Sequence, residues 1–119
     1  MEPTATSSPE EVAAAYFEAW RAGDAEQVRP LLAPDVDFVG ALGVANGVDE
    51  CVAGLRAMFA MTERVEVVRR WIDGADVITW FELTTATAGP VAIVNWSHVV
   101  YGLITRIRVT FDPRPIIGS

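Results

Sequence analysis

The chain has 119 residues, of which 51% are hydrophobic and 21% charged, and this composition predicts one globular domain. Its 16 acidic residues outnumber its 9 basic residues, and the formal net charge of -7 argues against binding to nucleic acid. The sequence has no apolar run long enough to span a bilayer and no signal-like N-terminus. We therefore expect a cytoplasmic protein with neither a nucleic acid nor a membrane as partner.

The first half of the chain is predicted to be helical. Met1–Ser8 is interpreted as a disordered tail, and Ser8-Pro9-Glu10-Glu11 is a capping box that begins a helix at Pro9. Gly23 is expected to end this helix. A second helix is predicted from Asp24, and it should be short or distorted because it contains Pro30.

Strands and one further helix are predicted in the rest of the chain. Asp35–Val39 is predicted to be a short strand, Gly40–Gly47 a loop, and Val48–Met61 the third helix. Four strands should follow, over Arg64–Ile72, Val77–Leu83, Val91–Tyr101 and Ile104–Phe111.

The last strand alternates between two kinds of residue and therefore has two different faces. Thr105, Ile107, Val109 and Phe111 lie on one face, and the arginines lie on the other. The apolar face has to be covered, and the covering elements can only be the upstream helices. The sequence thus predicts an α+β fold, a cone-shaped barrel in which three N-terminal helices pack on a curved, mainly antiparallel sheet. Residues 9–113 form the domain, and residues 114–119 form a C-terminal tail.

Strand phase predicts which residues point into the cone. Thr79, Phe81 and Leu83 should point inward from one strand. The next strand should turn four residues inward, namely Asn95, Ser97, Val99 and Tyr101. Such an interior is mostly apolar and favours a hydrophobic ligand that carries a carbonyl or hydroxyl group. The predicted ligand-binding residues are Trp20, Phe38, Phe59, Phe81, Asn95, Ser97 and Val109.

Several polar residues have two possible roles. The Tyr16 hydroxyl either bonds to a backbone carbonyl in the core or donates to a ligand carbonyl, as in an oxyanion hole. Asn95 and Ser97 either form a structural polar pair or contact the ligand. Asp37 could act as a base, but Phe38 is the better inward residue of its strand, and this places Asp37 outward.

The convex face of the sheet is predicted to be an interface. An exposed patch of aromatic residues edged by arginine and histidine is typical of protein contacts, and a homodimer is expected here. The predicted interface residues are Trp80, Trp96, His98, Arg106 and Arg108. His98 is the only histidine and Cys51 the only cysteine, so we expect no metal site and no cofactor.

The order of elements resembles the nuclear transport factor 2-like superfamily, and within it the SnoaL-like group. The motifs that carry the resemblance are Tyr16–Asp24 (YFEAWRAGD), Leu31–Phe38 (LLAPDVDF), Gly47, Asp73-Gly74 with Val77, and Gly102 with Phe111-Asp112. The resemblance implies a cone-shaped fold that often dimerises through its convex face. Members include ketosteroid isomerases, limonene-epoxide hydrolases, polyketide cyclases and ligand-binding proteins without activity.

Only some of the catalytic residues known in these relatives have a counterpart in this chain. Tyr16 matches the catalytic tyrosine of ketosteroid isomerases, but their base position is Gly40 and their second acid position is Ser97. At the two positions where the epoxide hydrolases have their aspartates, this chain has Leu83 and Val109. Two functions stay open. One is a cofactor-independent isomerase, cyclase or hydrolase with Tyr16 as hydrogen-bond donor, and the other is a non-catalytic ligand-binding or dimeric scaffold protein.

Overall fold

A computed structural model describes residues 7–117, so most of the predicted N-terminal tail lies outside the described residues. The helices are α1 (Pro9–Ala22), α2 (Val48–Met61) and the single turn α3 (Arg114–Ile117). The strands are β1 (Leu32–Gly40), β2 (Gly43–Asn46), β3 (Thr62–Asp73), β4 (Asp76–Thr85), β5 (Val91–Val100) and β6 (Leu103–Thr110).

The six strands form one curved sheet in the order β2-β1-β6-β5-β4-β3. All neighbouring strands are antiparallel except β1 and β6, which are parallel. Helix α1 packs on β3, β4 and β5, and helix α2 packs on β1 and β2, so both helices cover the concave face. The predicted α+β fold, with helices on a curved and mainly antiparallel sheet, is confirmed.

The bounds of α1 follow from its caps, as predicted. The Ser8 hydroxyl accepts a hydrogen bond from the Glu11 backbone at 3.1 Å, and the Glu11 carboxylate accepts one from the Ser8 backbone at 2.8 Å. Gly23 ends the helix in the left-handed conformation, with φ of 70°, which a residue with a Cβ adopts at a cost.

The predicted second helix is instead a pair of short 3₁₀ turns, Ala25–Gln27 and Arg29–Leu31. Pro30 has no backbone N–H to donate to the carbonyl of Glu26, so a continuous α-helix cannot form here. The prediction of a distorted helix was right about the cause, but the number of regular helices before β3 is two.

The predicted loop over Gly40–Gly47 was also wrong in part. Its residues Gly43–Asn46 form β2, which pairs with β1 from Asp37↔Asn46 to Gly40↔Gly43. A four-residue strand that begins with glycine shows no alternating pattern, and it is held by pairing with β1 rather than by its own propensity.

Irregular pairing decides which residues of two other strands face inward. β3 has register shifts at Thr62/Arg64 and at Val67/Arg69, which explains why its sequence shows no clear phase. A shift between β5 and β6 turns Ile104 fully inward in place of Thr105, which is half-buried. Tyr101, predicted to point inward, lies in the β5–β6 turn with φ of 52° and is 89% exposed.

A cluster of aromatic rings joins the helices to the sheet. The Trp20 ring stacks on Phe59 at 5.2 Å between centroids and meets Phe81 edge-on at 5.1 Å. Phe17 packs edge-on against Phe81 at 4.9 Å. Trp20 and Phe17 belong to α1, Phe59 to α2 and Phe81 to β4, so these contacts fix both helices above the sheet.

We predict that Glu26→Gln weakens the fold in a pH-dependent way. Hydrogen bonds from Arg29, and then from Arg56 of α2, lower the pKa of Glu26 to about 2. The carboxylate therefore stabilises the native state above its unfolded pKa of about 4.3, and this contribution is lost as the pH falls through about 2. Urea unfolding should show a less stable variant near neutral pH and a much smaller difference near pH ~2.

The control is Glu63→Gln, since Glu63 is exposed and forms no ion pair within residues 7–117. It should behave like the wild type at both pH values. A stability difference for Glu26→Gln that is equal at both pH values would contradict the assignment.

Candidate functional site

A cavity of about 300 Å³ lies between the two helices and one end of the concave face. The sheet contributes Phe38 from β1, Ile93 from β5, Val109 from β6, and Phe111 just after it. The β1–β2 hairpin contributes its residues from Gly40 to Ala45. The helices contribute Tyr16 and Trp20 of α1 and Cys51, Gly54, Leu55, Ala57, Met58 and Met61 of α2.

The described wall of this cavity carries no charged side chain. Apart from the Trp20 indole N–H, which is bonded to Thr62, its polar side-chain groups are the Tyr16 hydroxyl and the Cys51 thiol. A carboxylate or ammonium group placed in such a wall loses its hydration and gains no opposite charge in exchange. The cavity is therefore suited to an uncharged, mainly apolar molecule.

Tyr16 is the strongest hydrogen-bond donor of the wall. It is 1% exposed, and its hydroxyl makes no hydrogen bond to any of residues 7–117. Within the same residues, the one fully enclosed side-chain oxygen or nitrogen without a partner is Oδ1 of Asn95. The unpartnered Tyr16 hydroxyl is not fully enclosed, and we infer that it is accessible from the cavity.

Burial fixes the protonation state of both polar groups in the wall. Desolvation, with a further contribution from nearby Cys51, raises the pKa of Tyr16 well above its usual value. Desolvation also raises the pKa of the Cys51 thiol to about 11. Tyr16 is thus a neutral donor at physiological pH, and Cys51 is a protonated thiol, which is a poor nucleophile.

Two hydrogen bonds fix the position of the Trp20 ring. Its indole Nε1 donates to the Thr62 hydroxyl at 2.9 Å, and that hydroxyl donates to the Met58 carbonyl at 2.8 Å. Trp20 is 6% exposed and forms part of the cavity wall. Trp20 therefore lies at the cavity, and its role in ligand binding stays a prediction.

The structure places some predicted ligand-binding residues on the wall and others behind it. Trp20, Phe38 and Val109 line the cavity. Phe59 and Phe81 do not, because Phe59 stacks behind the Trp20 ring and Phe81 is fully buried against Phe17 and Trp20.

Asn95 and Ser97 point into the concave side and are buried, as strand phase predicts, but they are not part of the cavity wall. Asn95 Nδ2 donates to Ser97 Oγ at 3.0 Å, so the two residues form a polar pair in the core. This bond is the contact expected of a structural polar pair, and the role of the two residues in ligand binding stays a prediction.

The cavity residues that sequence reasoning missed lie in the β1–β2 hairpin and on α2. The sequence analysis predicts a loop for this hairpin. Residues 38–48 contain no charged residue, and this uncharged run is the signal that indicates an apolar wall here. Gly54 and Ala57 are exposed small residues, and nothing in their residue type indicates a ligand site. They line the cavity because α2 passes over the opening of the cavity.

Asp37, considered as a base, points away from the cavity as expected. Its Oδ2 accepts a hydrogen bond from Arg108 Nη2 at 2.9 Å on the convex side of the sheet. The positions that resemblance assigned to the isomerase base and acid are Gly40 and Ser97. Within residues 7–117, the wall therefore offers a hydrogen-bond donor without a carboxylate or imidazole base.

The convex face carries the residues predicted to form an interface. Trp80 and Trp96 are 41% and 38% exposed, and Arg106 is exposed beside them. Asp76 Oδ1 lies 2.7 Å from His98 Nδ1 and accepts a hydrogen bond from Trp96 Nε1 at 2.8 Å. These bonds, first that of His98 and then that of Trp96, lower the pKa of Asp76. The face is exposed as predicted, and its role as an interface stays a prediction.

Within residues 7–117, no three His, Cys, Asp or Glu side chains are grouped so that they could hold a metal ion. None of the helices described there has both the length and the apolar character that crossing a membrane requires.

Solved structures share this fold. An NTF2-like protein of unknown function from Cytophaga hutchinsonii is 20% identical, covers 98% of this chain and 99% of its own, and superimposes with a TM-score of 0.80. A candidate ketosteroid isomerase from Kribbella flavida is 21% identical over 87% of this chain and 77% of its own, with a TM-score of 0.74. An epoxide hydrolase of the LEH-like type from M. tuberculosis is 22% identical over 92% and 86%, with a TM-score of 0.75.

At these identities the structural likeness establishes the fold and leaves the activity open. No curated protein matches the sequence. A family model described as a SnoaL-like domain matches residues 13–107, which is most of the chain. The predicted relationship is confirmed, and this chain belongs to the family of SnoaL-like domains.

Proposed function

We propose that the chain binds a small, uncharged, hydrophobic molecule in the cavity and that Tyr16 donates a hydrogen bond to its oxygen. The observation that carries this proposal is a tyrosine hydroxyl without a partner at a cavity whose described wall has no charge. A buried donor that makes no hydrogen bond costs about 1–3 kcal/mol. A ligand oxygen at this position removes that cost, whereas a pure hydrocarbon does not.

The size of the cavity bounds the part of the ligand that it can enclose. One water molecule occupies about 30 Å³ in the liquid, so a cavity of about 300 Å³ holds roughly ten non-hydrogen atoms. This room suits a terpenoid-like ketone or a fragment of a polyketide. It is too small for a multi-ring polyketide to be enclosed completely.

Ligand binding without catalysis is favoured over proton-transfer chemistry. An isomerase that moves a proton needs a base within hydrogen-bond reach of the substrate, and the described wall supplies none. The second candidate is a cofactor-independent isomerase, cyclase or hydrolase. The neutral Tyr16 donor favours it, because such a donor stabilises an oxyanion in a dry site.

The role of Tyr16 is tested with two ligands of the same shape, acetylcyclohexane and isopropenylcyclohexane. The first presents a C=O group where the second presents C=CH₂, so only the first can accept a hydrogen bond. The ratio of the two affinities should shift toward the ketone by about fivefold in the wild type relative to Tyr16→Phe, which corresponds to one net hydrogen bond. Titration calorimetry measures both affinities in both proteins.

Because the affinity of each ligand is measured for both proteins, differences in ligand hydration cancel when the two affinity ratios are compared. Tyr16→Phe should unfold at the same temperature as the wild type or higher, since no hydrogen bond to described residues is lost. Trp20→Phe is the control for a lost bond, since it removes the donor to Thr62 and should lower the stability. An unchanged affinity ratio would exclude Tyr16 as the donor, and no binding of either ligand would exclude the cavity as the site.

We also propose that two copies of the chain meet through the convex face. Trp80 and Trp96, with Ile78 and Val94, form an exposed apolar patch on a sheet face that none of the described helices covers. Arginine side chains and the Asp76 carboxylate border this patch, and opposite charges on one face allow it to pair with itself about a two-fold axis.

Trp80→Arg should convert the dimer into a monomer, because it places an arginine of each copy in the centre of the apolar patch. Sedimentation velocity over a range of concentrations measures the distribution. The charge-matched control is Ala53→Arg, an exposed position on α2, which covers the opposite side of the sheet. A wild type that stays monomeric at every concentration would refute the proposal, as would a Trp80→Arg variant that dimerises like the control.

A further inference from the structure

The mouth of the cavity has an unusual rim of large apolar residues that are partly in water. Leu42 of the β1–β2 hairpin and Met61 of α2 line the cavity, yet they are 45% and 36% exposed. Apolar side chains that converge on one opening typically mark a surface that is covered in the working state. The cavity and its rim form one continuous apolar surface.

The segments that carry the rim residues are uncharged, and the Glu50 carboxylate, one turn before Gly54 on α2, accepts a hydrogen bond from the Asn46 backbone N–H at 2.9 Å. Residues 38–48, which include the hairpin, contain no charged residue, and neither do residues 57–62 at the end of α2. The whole chain, by contrast, has 25 charged residues, of which 9 are basic and 16 acidic. A mouth that recognised a charged head group would place charges there. A cavity mouth without charged side chains is better suited to a hydrocarbon chain than to a charged head group.

Gly54 has no side chain that would narrow the opening on the α2 side. It lies in the interior of α2 and lines the cavity, and a Cβ built on it would meet no atom within 4 Å. A glycine in a helix interior costs about 1 kcal/mol relative to alanine. Neither close packing nor a positive φ requires glycine here. Ala57, which follows three residues later on the same helix face, also lines the cavity.

The buried donor gives the ligand an orientation. Tyr16 is 1% exposed and lies in the inner wall, whereas the rim residues lie at the solvent end. An oxygen that bonds to Tyr16 therefore has to be at the inner end of the ligand. Any remaining length of the ligand points toward the mouth.

We propose that the ligand is an elongated hydrocarbon with one uncharged oxygen, that it enters oxygen first, and that its tail leaves between Gly54 and the hairpin. The tail covers Leu42 and Met61, and Gly54 determines how long a tail is accepted. This inference rests on the proposed function, and it adds that the ligand is longer than the roughly ten atoms that the cavity encloses.

The test uses a series of straight-chain methyl ketones, from methyl pentyl ketone, which fits within the cavity, to methyl undecyl ketone, which does not. Each methylene buried on apolar surface should improve the affinity about three- to fourfold. In the wild type this improvement should continue past the length that fills the cavity. In Gly54→Leu it should stop there, so that the longest ketone loses at least tenfold in affinity and the shortest changes little.

The matched control is Ala53→Leu, an exposed residue next to Gly54 that is not part of the cavity wall, and it should behave like the wild type. Gly54→Leu should be at least as stable as the wild type, because leucine favours helix over glycine. Gly54→Ala provides a second, smaller change with an intermediate effect on the long ketones.

The outcomes separate the two proposals. A wild-type affinity that levels off once the cavity is full refutes the elongated ligand and leaves the cavity as a binding site. An equal loss for short and long ketones in Gly54→Leu refutes its role in selecting length. If no ketone binds to the wild type, the proposed function fails, and this inference fails with it.

Discussion

The stacking of Trp20 between the two helices and the sheet is the contact on which the rest of the structure depends. Trp20 of α1 touches Phe59 of α2 and Phe81 of β4, and its indole N–H is held by Thr62. These large rings fill the centre of the concave face. The end of the face near β1, β2 and β6 is covered by α2, whose residues there include Gly54 and Ala57, and these are too small to fill the remaining space. The hollow is therefore a consequence of where the bulky and the small residues lie.

The absence of charged side chains from the described wall determines what kind of molecule the cavity is suited to. Apart from the Trp20 indole N–H, which is bonded to Thr62, the polar side-chain groups of the described wall are two neutral donors, and desolvation keeps both protonated. A hydrogen bond in such a dry wall is stronger than the same bond at the surface, because the local dielectric is low. The same low dielectric makes a charged ligand unfavourable. In the proposed function, selection works through the cost of desolvation, and Tyr16 would distinguish oxygen-bearing molecules from plain hydrocarbons.

The sequence predicted the elements that depend on local signals. The capping box at Ser8, the terminal Gly23 and the full length of α2 follow from nearby residues, and so does the alternation that defines β4 and β5. It did not predict β2, which forms only because β1 is beside it. The inward position of Ile104 instead of Thr105 results from a bulge that shifts the register by one residue.

The candidate site was predicted less well than the fold, for a related reason. Strand phase gives the face on which a residue lies, and it placed Phe81, Asn95 and Val109 correctly on the concave face. Phase does not tell where along that face the helices pack tightly and where they leave a hollow. Phe81 and Asn95 lie in the packed part, and Val109 lies in the hollow.

Strands β1 and β6 each contribute residues to both faces of the sheet, and this connects the cavity to the proposed interface. On β6, Val109 lines the cavity, while the adjacent Arg108 points to the convex side and binds Asp37. On β1, Phe38 lines the cavity next to that same Asp37. The Arg108–Asp37 pair therefore fixes the two strands whose inner residues form the cavity floor. Charge is confined to one side of these strands, so the fold can present polar contacts to a partner while its interior stays neutral.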